Sequence, residues 1–133
     1  MTVQVLPTEY HVEKGYARGV VAGGFVFLSG VGGIDPDSDT VLPTMAEQAG
    51  IICRRIVASL ELAGSSVENI VKIVTYVTDL NIYRSHGAAI VKERLPRRAS
   101  TLVVVKQLAR PGMMIEVDVT AAVEAGEFHR AKS

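Results

Sequence analysis

The chain has no tryptophan, a single cysteine and few aromatic residues, 5% in all. With Cys53 alone an internal disulfide framework is excluded, and no Cys or His flanks it at metal-ligand spacing. Cys53 reads as a buried helical thiol rather than a reactive one. Surplus charge is also missing, since 14 basic residues balance 14 acidic ones. That balance, with so few side chains for base stacking, argues against nucleic acid or an anionic membrane as a partner. No apolar run approaches the ~20 residues of a membrane span. Residues 1–6 have no charged region leading into a long apolar stretch, so no secretory signal is expected and the expected compartment is the cytoplasm.

What remains is an ordinary globular composition. The 133 residues, 48% hydrophobic and 21% charged, suffice for a usable core. There is no internal repeat, low-complexity tract or linker. One domain over residues 1–133 is expected, with its core at about 16–124 and short tails. Residues 20–30 read as two strands around Gly23-Gly24, a hairpin signal. Gly30, Gly32 and Gly33 before Asp35-Pro36-Asp37 read as a loop that needs unusual backbone angles or close approach.

Thr44 and Glu47 have capping-box spacing, followed by an apolar stripe through Ile52, Ile56 and Leu60 that Gly64 closes. Residues 70–78 are β-branched and strand-like. A second helix is expected over 81–95, weakened by Gly87. Residues 101–106 form another strand, and 113–123 a long last one. On that strand Ile115, Val117, Val119 and Ala121 share one face, and Met114, Glu116, Asp118 and Thr120 the other. The order β-β-α-β-α-β-β is α+β, with two helices able to cover one sheet face. Phe25-Val26-Phe27-Leu28 and residues 102–105 are apolar on both faces. A homo-oligomer that covers the second face is therefore expected, with clefts at its interfaces.

Tyr16-Ala17-Arg18-Gly19, Phe27-Leu28-Ser29-Gly30, the helix over 44–64, Val77-Thr78-Asp79-Leu80 and Met114-Ile115-Glu116-Val117 occur in a telling order and spacing. Together they resemble the YjgF/RidA (reactive intermediate deaminase, L-PSP endoribonuclease-like) family over about residues 16–123. The resemblance implies a chorismate-mutase-like α+β fold: a mixed six-stranded sheet with two helices on one face. It also implies a barrel-like homotrimer with clefts between subunits. The implied activity is hydrolysis of enamines and imines to 2-oxo acids and ammonia, without metal or cofactor. Tyr16 and Ser29-Gly30 match the family's cleft residues, and Glu116 matches the glutamate that positions water.

The family's carboxylate-binding arginine has no direct match, because by spacing its place falls on Ser100. Arg98, two residues upstream, and Arg18, on the same side of an extended segment as Tyr16, are the replacement candidates. Backbone N–H groups over Ser29, Gly30, Val31 and Gly32 suit a carboxylate or carbonyl oxygen. Ser100 and Thr101 are candidates for a weakly charged ligand, so residues 96–103 are expected to enter the cleft mainly through these hydroxyls. His86 is a lesser candidate for direct chemistry. The expected function is an imine or enamine deaminase whose substrate is not the usual small 2-imino acid. The alternative is a non-catalytic trimeric module that binds a small molecule or another protein.

Overall fold

A computed structural model describes residues 1–124 and 126–129. The expected C-terminal tail is therefore described only in part, with residues 125 and 130–133 outside it. The strands are β1 (Gln4–Leu6), β2 (Gly19–Ala22), β3 (Phe25–Leu28), β4 (Val31–Gly32), β5 (Ile34–Asp35), β6 (Thr40–Val41), β7 (Ile70–Val77), β8 (Ala99–Val104) and β9 (Ile115–Ala122). The helices are α1 (Met45–Leu62), α2 (Leu80–His86) and α3 (Ala88–Arg94). One mixed sheet runs in the order β1-β2-β3-β9-β7-β8, with β4 also paired to β9. Its only parallel pair among the described strands is β7 with β8. β5 and β6 form a separate two-stranded ribbon.

Local chemistry sets the ends of the elements. Gly23 and Gly24 both have positive φ, 58° and 82°, the backbone of a two-residue hairpin turn whose twist suits the strands. Thr44 caps α1, its Oγ1 accepting the Glu47 N–H at 3.2 Å. Gly64, with φ 78°, closes it. Its N–H reaches the Glu61 carbonyl and the Ser65 N–H the Leu60 carbonyl, the double bond of a left-handed glycine cap.

The core lies between α1 and the sheet. Ile52, Ile56 and Leu60 on α1 are fully buried against Val117, Val119 and Ala121 of β9. Burying each large aliphatic side chain contributes about 1.5–3 kcal/mol before entropy is counted. Gln48, also fully buried, clamps the start of β9. Its amide donates to the Leu42 and Gly112 carbonyls at 2.8 Å each, and its Oε1 accepts the Met114 N–H at 2.8 Å. A buried amide with each partner in place fixes one geometry.

The structure departs from the expectations at three points, and decides between two readings at the glycines. The sheet has seven strands rather than six, because Val31–Gly32 continues it where a loop was expected. The glycines there serve close approach and not unusual angles: a Cβ on Gly32 would lie 2.3 Å from Met113 Cε, and one on Gly33 2.3 Å from Gln48 Cγ. The helix expected over 81–95 is two helices, broken at Gly87, which packs so closely on Met45 that a Cβ would meet its Sδ at 2.9 Å. The sheet also begins at Gln4, ahead of the expected core, with Leu6 fully buried.

The sheet face away from α1 is open. Phe25 and Phe27 point onto it, 42% and 48% exposed, with ring centroids 6.4 Å apart. No described element covers them.

Candidate functional site

β3 and β4 pair with successive parts of β9, Phe27 opposite Thr120 and Val31 opposite Val117. Between these pairs three residues, Leu28, Ser29 and Gly30, face only two, Val119 and Asp118. The extra residue is a β-bulge, the device that bends a strand and re-aims its side chains. Ser29 is held there by its N–H on the Arg18 carbonyl at 3.1 Å and its Oγ on the Ala17 carbonyl at 2.5 Å.

The bulge brings Gly30 against β9. A Cβ on Gly30 would lie 2.6 Å from Glu116 Oε2 and 3.0 Å from Asp118 Oδ1, so only glycine leaves room for both carboxylates. Gly32 is the register partner of Glu116. The Glu116 carboxyl is half-buried, and its proton affinity is raised, first by burial and then by the neighbouring Asp118 charge. From β7, the Tyr76 hydroxyl donates to Asp118 Oδ2 at 3.1 Å. That bond, more than any other influence, makes the phenol hold its proton above the ordinary tyrosine range.

On the α1 side of the bulge, Tyr16, Arg18, Ser29, Gly30 and Val31 line a narrow pocket of about 10 Å³. Its floor is ionic. Glu9 Oε1 accepts from Arg55 Nε at 2.8 Å and Nη2 at 2.5 Å, while Glu9 Oε2 lies 3.4 Å from Arg18 Nη2. Arg18 Nε donates to the buried Ser59 Oγ at 2.7 Å, and Arg55 Nη1 to the Gly32 carbonyl at 2.7 Å. One carboxylate between two guanidiniums leaves a net positive charge below the pocket. Arg18 Nη1 has no protein acceptor among the described residues, so Arg18 keeps a donor for an anion.

Tyr16, Arg18, Ser29, Gly30 and Val31 are thus brought together on the α1 side of the bulge, while Glu116 meets Gly30 and Gly32 on the opposite face of the sheet. Arg98, Ser100 and Thr101 lie outside both groups. Arg98 Nε donates to the Ile70 carbonyl at 2.8 Å and Nη2 to the Glu68 carbonyl at 3.0 Å, tying the start of β8 to the start of β7. Ser100 and Thr101, neighbours on one strand, point to opposite faces. Ser100 pairs with Ile73 and lines a cavity of about 570 Å³ on the helix side, with Thr75, Tyr83, Lys92, Arg97 and Arg98 itself. Thr101 accepts from Lys72 Nζ at 3.0 Å on the open face. Glu116 is level with Val103, three residues along from Ser100 and so ~10 Å further by strand rise alone. His86 is exposed at the end of α2. Cys53 is buried, and burial pushes its thiol up to about 11.

Glu9, Arg55, Ser59 and Tyr76 were not among the expected site residues. Arg55 and Ser59 carried a signal, since both interrupt the stripe of Ile52, Ile56 and Leu60 with polar groups. Glu9 and Tyr76 carried none. Among the described residues no group of three or more His, Cys, Asp and Glu could hold a metal ion, and no helix is long and apolar enough to cross a membrane.

Comparison with known proteins places this geometry. The family described as Endoribonuclease L-PSP matches residues 7–123. Protein mmf2, mitochondrial, of Schizosaccharomyces pombe is 32% identical over 80% of this chain and 86% of its own length. The putative reactive intermediate deaminase TdcF of Escherichia coli is 33% identical over 50% of this chain and 51% of its own. With that relative and several others, the match spans about half the relative's length. The crystal structure of YyfA from Yersinia pestis, described as a conserved Rid family protein of unknown function, superposes with a TM-score of 0.83 at 25% identity. It covers 92% of this chain and all of that one.

Proposed function

The chain belongs to the Endoribonuclease L-PSP family, the YjgF/RidA family, and from that premise we propose that it hydrolyses imines or enamines to a carbonyl compound and ammonia. The observation that carries this reading is the Glu116 carboxyl, half-buried with raised proton affinity and seated against Gly30 of the bulge. A carboxyl in that state can both take up and return a proton. As base it takes a proton from water as the oxygen bonds to the C=N carbon, while the π electrons pass to nitrogen. As acid it returns the proton to that nitrogen, giving the carbinolamine. It then passes the hydroxyl proton to nitrogen in the same way, so that the C–N bond breaks, ammonia leaves and the carbonyl forms. The sum is imine plus water giving carbonyl plus ammonia, with no change of oxidation level and no cofactor.

Arg18 is the carboxylate anchor in this reading, because Arg98 is spent on backbone carbonyls. A charge-assisted hydrogen bond contributes about 1.5–3 kcal/mol, a ten- to hundredfold effect on binding. The exposed Phe25 and Phe27 support a homo-oligomer that covers the open face, which in this reading is the trimer implied by the family. The 570 Å³ of the Ser100 cavity, with Lys92 and Arg97 on its lining, supports a substrate larger than an alanine-derived imine. Endoribonuclease action is not carried over, given the balanced charge and the lack of tryptophan.

The test is the rate of ammonia release from 2-imino acids of increasing size, made in situ by an amino-acid oxidase. It is run on particles sized by light scattering, expected at three chain masses. Catalysis should fall at least a hundredfold in Glu116→Gln, and KM should rise ten- to hundredfold in Arg18→Met with kcat nearly kept. No acceleration of any imine by the wild-type trimer would remove the deaminase reading and leave a small-molecule binder.

A further inference from the structure

Glu116 does not stand alone. On β9 the next residue on the same face is Asp118, and the bulge presses Gly30 against both. Two carboxylates this close do not both ionise freely, because the second charge must form against the first. Something must decide which one keeps the proton. The Tyr76 hydroxyl is the one hydrogen-bond donor from a neighbouring strand that reaches either group among the described residues, and it reaches Asp118, at 3.1 Å.

We propose that Tyr76 is a positioning residue that acts through Asp118: its phenol pins the Asp118 carboxylate beside Glu116, so that the Asp118 charge holds the proton on Glu116. A phenol O–H donates more strongly to an ionised carboxylate than to a neutral carboxyl, so Tyr76 favours the charge on Asp118. That charge then favours the proton on Glu116. The raised proton affinities of Glu116 and of the Tyr76 phenol both run in this direction.

The other surroundings do not compete. From β3 and β4 the pair meets Gly30, Val31 and Gly32, none of which titrates. From β8 the open face carries Thr101 and Val103, and the nearest cation on β7, Lys72, is turned to Thr101. Asp118 is therefore the only charged group that acts on Glu116, and Tyr76 the only donor that acts on Asp118, among the described residues. The role assigned to Glu116 rests on the deaminase reading. The coupling itself does not.

The experiment is a carbon-13 carboxyl titration of Glu116 by NMR in the folded trimer, compared with Asp118→Asn and Tyr76→Phe. Both changes are near-isosteric, and amide spectra report whether each variant is folded. The Glu116 midpoint should fall by about one pH unit or more in Asp118→Asn. In Tyr76→Phe it should fall by a smaller amount, because an unpinned Asp118 swings into water. Unchanged midpoints in both variants would overturn the proposal, and an unchanged midpoint in Tyr76→Phe alone would remove Tyr76 from it. Should Asp118→Asn fail to fold, Asp118→Ser gives the same reading.

Kinetics then separates the two claims. Where imine hydrolysis occurs, the acid limb of kcat against pH should move with the Glu116 midpoint in each variant. A limb that stays put while the midpoint moves would place the pair outside the reaction. A coupled pair in a protein that hydrolyses no imine would leave the coupling standing and the deaminase reading fallen.

Discussion

Glu9 and Glu116 are both drawn out of water on either side of the same bulge, and they are treated in opposite ways. Glu9 lies between the guanidiniums of Arg18 and Arg55, each of its oxygens matched by positive charge. Glu116 lies beside Asp118, with no cation among the groups that shift it. The first arrangement binds the arm before β2 to α1. The second stores an unfavourable interaction, and a fold keeps such an arrangement where chemistry needs it. The difference separates the parts of this molecule that hold it together from the part proposed to work.

The sharpest way to break the comparison is at Arg55, which is buried and donates to Glu9, Tyr10 and the Gly32 carbonyl. Arg55→Met leaves Glu9 with Arg18 as its remaining cation, and a buried pair broken on one side costs about 3–5 kcal/mol. Urea unfolding measures this. Replacing both partners, Glu9→Gln with Arg55→Met, should recover only part of the loss, because Arg18 then loses its carboxylate. A single-variant loss below about 1 kcal/mol would mean the cluster does not hold the arm.

A smaller effect on stability, with a larger one on activity, is expected at Gly30. Gly30→Ala puts a Cβ 2.6 Å from Glu116 Oε2, so the carboxylate must move. Stability should fall by about 1–3 kcal/mol, as for other overpacked positions. Turnover should fall at least tenfold. Gly23 is the control: a Cβ there meets nothing within 4 Å, but its φ of 58° costs a side chain ~1–2 kcal/mol. Gly23→Ala should therefore lose similar stability and keep its turnover. Equal turnover losses in both would show that the Gly30 effect is global.

Much of the frame was legible from periodicity and caps. The stripe on α1, the alternation on β9, the Gly23-Gly24 turn and the Gly64 cap are local signals, and each appears in the structure where it was expected. What was not legible depends on contacts between distant segments. The bulge at Ser29-Gly30 exists only because β3 and β4 share β9, so a run of glycines read as a loop became a strand. Ser100 and Thr101 looked like a joint feature until β8 paired with β7 and turned them to opposite faces. Arg98 looked free because its acceptors, Glu68 and Ile70, lie about thirty residues back. The bulge sets Tyr16, Ser29 and Gly30 around one pocket and presses Gly30 onto Glu116 from the other face.

The smallest effect tests the comparison through pH. Asp39 pairs with Lys14 at 2.5 Å and with Arg110 at 2.7 Å, and their hydrogen bonds lower its proton affinity. A carboxyl lowered by folding adds stability above its unfolded value, and that share is lost as pH falls through the folded one. Glu116 has the opposite sign. Folding raises its value, so its contribution is full below the unfolded value and is lost as pH rises through the folded one. Relative to wild type, Asp39→Asn should therefore lose stability, and Glu116→Gln gain it, as pH is raised from about 3 to about 7. Unfolding free energies across that range give the two slopes. Slopes of the same sign would mean that Glu116 is stabilised as an anion, and the division between a paired frame and a strained working face would fail at its central residue.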